Sequence, residues 1–157
     1  IAVSFCGSDP LNLTLKMLKI LKIINWQKKT VFYIGSSFTR NQINELKKQT
    51  KKFSNFQISN FNFKKIINSK LIISSFSNFA YEMAYFKKLT LVVLLRKNIK
   101  IPRNNFFKNT INLGYYSNLN SEMIRKFINK HYKNNLNKQN IRIENNSINE
   151  YLKILNS

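Results

Sequence analysis

The sequence predicts an α/β domain built on a doubly wound parallel sheet of about six strands. Three observations carry this. Short apolar runs alternate with segments of helical period from residue 1 to residue 132. The strand-like runs are almost continuously apolar, the pattern of strands buried on both faces. Polar breaks rich in Gly, Ser and Asn follow several of those runs, and in such sheets ligands gather beyond the carboxyl ends of the strands.

Ile1–Phe5 reads as a buried strand and Leu11–Ile24 as a helix, with Leu11, Leu13, Leu15, Leu18, Leu21 and Ile24 on one face. Thr30–Ile34 is a β-branched and aromatic strand, stopped by Gly35-Ser36-Ser37. Asn41–Lys52 is a basic helix, Phe56–Ser59 a short strand, and Phe63–Asn68 a short helix. Leu71–Ser74 is a strand, broken by Ser75-Phe76-Ser77-Asn78 before a helix over Phe79–Lys87. Leu89–Leu95 has the strongest signal for a buried strand, and a charged loop, Arg96–Arg103, follows it. Thr110–Leu113 is a last strand ending at Gly114, and Ser121–Tyr132 a helix with Ser121 as its candidate N-cap. The Asn-rich stretch 134–140 reads as a linker to a closing helix, Ser147–Leu155, so the chain divides at 1–133 and 134–157.

Composition narrows the function. At 157 residues with 43% apolar content, the chain can bury a core. No apolar run reaches the ~18 residues needed to span a bilayer, and no signal peptide is visible. One cysteine excludes an internal disulfide and fits a reducing compartment, which points to the cytoplasm. One Cys, one His and six acidic residues make a structural metal site a poor expectation, and no cofactor fingerprint is present. The net charge of +21 reads as AT-rich coding bias on a solvated surface, because Lys far exceeds Arg and is scattered. A nucleic-acid-binding face is the lesser reading.

Two segments carry candidate chemistry. In Cys6-Gly7-Ser8-Asp9-Pro10, Gly7 permits close backbone approach or a positive φ, Ser8 offers a hydroxyl, and Pro10 suits a first helical turn. The segment is either an anion-binding turn at a helix start or a plain turn capped by Asp9. In Ser74–Glu82, Glu82 sits early in a helix. It serves there either in dipole compensation or as an acceptor for two vicinal ribose hydroxyls. His131, on a late helix, reads as a surface residue.

The runs GSDPLNLTLKMLKIL (Gly7–Leu21), VFYIGSS (Val31–Ser37) and Tyr81-Glu82-Met83-Ala84 resemble, in order and spacing, the C-terminal half of a bacterial nucleotide-sugar hydrolase family. It is the UDP-2,4-diacetamido-2,4,6-trideoxy-β-L-altropyranose hydrolase family of pseudaminic acid synthesis. The resemblance covers roughly residues 1–115. It implies a Rossmann-like C-terminal lobe of the two-domain GT-B architecture, shared with the glycosyltransferase that makes lipid II. It also implies a UDP-sugar partner and an N-terminal catalytic lobe that this chain lacks.

The UDP site so implied draws on Gly7, Ser8, Asp9, Gly35, Ser36, Ser77, Asn78, Tyr81, Glu82 and Asn98. Departures from the family pattern are Cys6 for a glycine, Phe76 and Ser77 for a glycine pair, Lys87 and Leu89 for a Gly-x-Pro turn, and Ile99 for a glutamine. Phe76 is expected to obstruct backbone approach to a phosphate. Hydrolysis of a UDP-sugar is therefore the leading expectation. A GT-B glycosyltransferase and a degenerate, inactive homologue are the alternatives, and a basic RNA-binding protein is the lesser one.

Overall fold

The computed structural model describes residues 1–5 and 7–135. Cys6, the closing helix expected over Ser147–Leu155 and most of the expected linker lie outside the described residues. Six strands form one parallel sheet: β1 (Ala2–Ser4), β2 (Thr30–Ile34), β3 (Phe56–Asn60), β4 (Ile72–Ser75), β5 (Thr90–Leu94) and β6 (Thr110–Tyr115). Their order is β3-β2-β1-β4-β5-β6. The chain therefore reverses its direction of winding between β1 and β4, which pair through Ala2 with Ile72 and Val3 with Ile73. This is the α/β doubly wound, Rossmann-like sheet that the alternation predicted.

Among the described residues five α-helices cover the two faces: α1 (Leu13–Ile23), α2 (Arg40–Thr50), α3 (Phe63–Ile67), α4 (Asn78–Tyr85) and α5 (Ser121–Asn135). Strand parity divides the core. Val3, Phe32, Ile73, Leu91 and Val93 point to one face, with Met17, Leu18 and Leu21 of α1, Leu46 of α2, and Ile124 and Ile128 of α5. Ala2, Tyr33 and Ile72 point to the other, with Ile66 and Ile67 of α3 and Phe79, Met83 and Phe86 at α4. Burial of apolar surface on both faces, at roughly 25 cal/mol per Å², is what holds the layers together.

Several element ends differ from the sequence reading, each for a local reason. α1 begins at Leu13, because Asn12 takes φ 50° and Pro10 and Leu11 form a turn before it. Leu11 is consequently exposed instead of packed. The cap of α5 is Asn120, whose Oδ1 accepts from the Met123 amide at 2.9 Å, and Ser121 is the first helical residue. That helix runs to Asn135, past the expected end at Tyr132. β6 continues through Gly114, at φ 81°, into Tyr115, with a bulge opposite β5.

Two helices end in Schellman motifs. After α1, the Asn25 and Trp26 amides donate to Lys22 and Leu21, with Asn25 at φ 52°. After α4, the Lys87 and Lys88 amides donate to Ala84 and Met83, with Lys87 at φ 52°. At both left-handed positions the residue is not glycine, so the backbone holds a conformation that its side chain does not favour.

Candidate functional site

The loops after β1 and β2 meet at the carboxyl edge of the sheet. A Cβ added at Gly35 would lie 2.3 Å from the Gly7 carbonyl oxygen and 2.6 Å from its Cα. Only glycine allows that approach. The Ser37 amide then donates to the Gly7 oxygen at 3.1 Å, tying the two loops together. Gly7 is the opposite case: a Cβ there would enter open space, and its φ is not positive. Of the two roles open to it, the structure excludes a left-handed bend and leaves an open backbone face.

The first loop is fixed from below. Asp9 is 3% exposed, and its carboxylate accepts from the amides of Leu13 at 2.8 Å and Thr14 at 2.7 Å. Both carboxylate oxygens are therefore spent on the start of α1, but from three residues before the N-cap position, which is Asn12 and not Asp9 as the plain-cap reading had it, and those two amides are not open to a ligand anion. Burial pushes the Asp9 carboxyl above its ordinary value, while hydrogen bonds from Thr14 and the Leu13 amide oppose the rise.

Gln42 holds the same loop from the side. Its Nε2 donates to the Asp9 carbonyl at 3.0 Å and to Asn12 Oδ1 at 3.0 Å. Its Oε1 accepts from the Thr39 amide at 2.8 Å, completing a capping box on α2. The Thr39-x-x-Gln42 spacing is a readable cap signature that the sequence reading passed over.

A cavity of about 440 Å³ opens beyond β1 and β2, lined by Gly7, Gly35, Ser36, Phe61, Phe79 and Glu82. It brings together four of the residues singled out from sequence: Gly7, Gly35, Ser36 and Glu82. Phe61 and Phe79 were not foreseen: Phe61 directly follows β3 and Phe79 is the second residue of α4, two places where an aromatic reads as core. Phe61 is 47% exposed and meets Phe79 edge-on at 5.8 Å.

Among the described residues the lining combines aromatic surface, glycine backbone and one carboxylate, with no Lys or Arg. That chemistry suits an uncharged, hydroxyl-bearing group with a planar ring better than it suits a phosphate. A second cleft of about 580 Å³ lies on the far side of the first loop, lined by Ser8, Pro10, Asn12, Ser37, Thr39 and Gln42 among others.

The remaining candidates stand elsewhere. Ser77 is the N-cap residue of α4 with no side-chain cap bond, and Asn78 is that helix's exposed first residue. Neither lines the cavity. Tyr81 turns toward Phe76 at 5.6 Å and Phe107 at 4.9 Å, into an aromatic cluster beside α4. Phe76 belongs to that cluster, so its ring does not line the cavity it was expected to obstruct. Asn98 is exposed on the loop after β5. His131 stacks on Phe127 of α5.

The class these features define is a Rossmann-like parallel-sheet domain whose fold resembles the C-terminal lobe of GT-B proteins. Among solved structures, the chain is similar to the Escherichia coli heptosyltransferase WaaC with ADP, at 11% identity and a TM-score of 0.57, over 83% of this chain and 43% of that one. The same heptosyltransferase with ADP-2-deoxy-2-fluoro heptose is similar at 12% identity and a TM-score of 0.56, over 82% and 42%. The chain thus spans less than half the length of these structures, and at such identity the likeness is one of fold. No family model matches the chain, and no curated protein matches it.

Proposed function

We propose that this domain binds the nucleotide of a nucleotide-diphospho sugar, as the donor lobe of a GT-B glycosyltransferase. One observation carries the reading. At the switch point of the sheet, the open backbone face of Gly7 and the Glu82 carboxylate share one cavity with two aromatic rings. Glu82 accepts the two ribose hydroxyls, and the rings contact the base. The diphosphate runs outward over the Gly7–Ser8 backbone, and the net positive charge of the chain favours its approach. The lobe contributes binding and orientation, and the reacting groups come from a second lobe.

The heptosyltransferase likeness supports transfer to an acceptor as the chemistry. Hydrolysis of a UDP-sugar is the second reading, favoured by the left-handed Lys87 at the place where the resembled hydrolase family has glycine. Calorimetric titration with UDP and ADP tests the site. Glu82→Gln is expected to weaken binding of the preferred nucleotide at least tenfold, since hydrogen bonds to a charged acceptor contribute about 1.5–3 kcal/mol. Unchanged affinity in that variant would overturn the assignment. Product analysis on a longer protein carrying both lobes, scoring free against transferred sugar, separates the two chemistries.

A further inference from the structure

We propose that the outer face of α4 and the loop before β6 form a docking surface for an anionic lipid bilayer. Six large apolar side chains are exposed on the described residues, and three of them gather here: Tyr81 at 46%, Tyr85 at 60% and Phe106 at 43%. Tyr81 and Tyr85 are one turn apart on α4. Phe106 belongs to a one-turn 3₁₀ helix, Asn105–Phe107, packed against α4 with its ring 6.3 Å from that of Tyr81. Beneath them Phe107 is buried, meeting Tyr81 at 4.9 Å and Phe106 at 5.0 Å. The patch is therefore a supported apolar relief and not three loose rings.

Its rim is cationic. From Tyr81 to Ser121 the sequence has seven basic residues and one acidic residue, Glu82, which lines the cavity at the sheet edge. Arg103 and Lys108 are exposed and line a shallow cavity of about 350 Å³ with Phe107. Lys87 is exposed at the end of α4, and its carbonyl accepts from Asn109 Nδ2 at 2.7 Å, which fastens it to the same loop. Arg96, Lys97 and Lys100 are exposed further along that loop.

Apolar rings bordered by Lys and Arg fit the headgroup boundary of a bilayer, where rings enter the interface and cations meet anionic headgroups. Charge complementarity selects an anionic surface over a neutral one. Ring geometry selects lipid over single-stranded RNA. Tyr81 with Phe107, Phe106 with Phe107 and Tyr85 with Phe86 lie at 81°, 85° and 89°. Each exposed ring is thus braced edge to face on a buried one, and the exposed pair Tyr81 and Phe106 is tilted by 41° at 6.3 Å, so the patch does not form the set of parallel open faces on which bases stack.

The test is cosedimentation of the purified chain with vesicles of phosphatidylcholine alone or with about 30% phosphatidylglycerol. Binding is expected only to the anionic vesicles, and raising salt from about 0.1 M to about 0.5 M should release it. The triple variant Tyr81→Ser, Tyr85→Ser, Phe106→Ser should reduce partitioning about tenfold, and the single Tyr85→Ser, at the most exposed ring, about threefold. Arg103→Glu with Lys108→Glu should weaken binding clearly more than Lys28→Glu with Lys29→Glu, a matched charge change elsewhere. No binding to anionic vesicles overturns the proposal. Equal losses from the two charge pairs, or binding indifferent to Tyr85→Ser, also overturn it. So does tighter binding of a homopolymer RNA that depends on the same three rings.

Discussion

Gly7 and Gly35 meet at one contact but should respond to alanine in opposite ways. At Gly35 the new methyl would sit 2.3 Å from the Gly7 oxygen, about 1 Å inside ordinary contact, and its neighbours there are backbone. No rotamer change relieves that clash, so the two loops must part. Overpacking of this kind costs about 1–3 kcal/mol. Losing the Ser37 amide bond to the Gly7 oxygen adds about 1 kcal/mol. Gly35→Ala should therefore lower stability by about 2–4 kcal/mol, or roughly 5–12 °C in a chain of this size.

At Gly7 the methyl enters open space without a positive φ. Stability should stay within about 0.5 kcal/mol of the parent, because the restricted unfolded chain offsets small losses. The methyl narrows the cavity, so nucleotide affinity should fall about tenfold. Urea denaturation of both variants and calorimetric titration of the Gly7 variant read the contrast. Equal stability for Gly35→Ala and its parent would refute the loop contact. A Gly7 variant that binds nucleotide like its parent would refute the open backbone face as part of the site.

Three further outcomes follow from the same structure. Lys87→Gly should raise stability by about 1 kcal/mol, since it relieves a left-handed non-glycine position in a Schellman cap; Lys87→Ala serves as the reference, and a glycine variant no more stable than it would contradict the cap. Asp9 has a raised folded pKa, so the folded chain holds its proton longer and stability declines as pH climbs from the ordinary 3.8 through the raised value. The urea-midpoint gap between the parent and Asp9→Asn should narrow across that window and then level, and a widening gap would contradict it. Phe61→Ala should weaken nucleotide binding several-fold with little loss of stability, because the ring is half exposed at the cavity mouth; calorimetric titration and urea melts decide it.

The sheet was legible because its strands announce themselves twice, as apolar runs and as alternation with helical period. β2 appears with the limits its β-branched and aromatic run predicts, and Glu82 and Gly7 fall on one edge because α4 follows β4 across the switch point from β1. What stayed hidden depends on backbone geometry. Asn12 takes φ 50°, which delays α1 by two residues and turns Asp9 under the helix start. Nothing in the periodicity of Leu11–Ile24 encodes that turn. Tyr81 lies next to Glu82 in sequence, yet successive helical residues face about 100° apart, so one meets the cavity and the other the Phe107 cluster. Phe61 was invisible as a site residue because an aromatic past a strand end signals burial unless its exposure is known.

The most direct measurement is backbone amide exchange, followed residue by residue with and without UDP or ADP at millimolar concentration. The geometry predicts slowed exchange in two places at once: the loops carrying Gly7, Ser8, Gly35 and Ser36, and the first turns of α4 up to Glu82. Unchanged exchange at both, or protection confined to α5 and β6, would contradict a nucleotide site at this edge of the sheet.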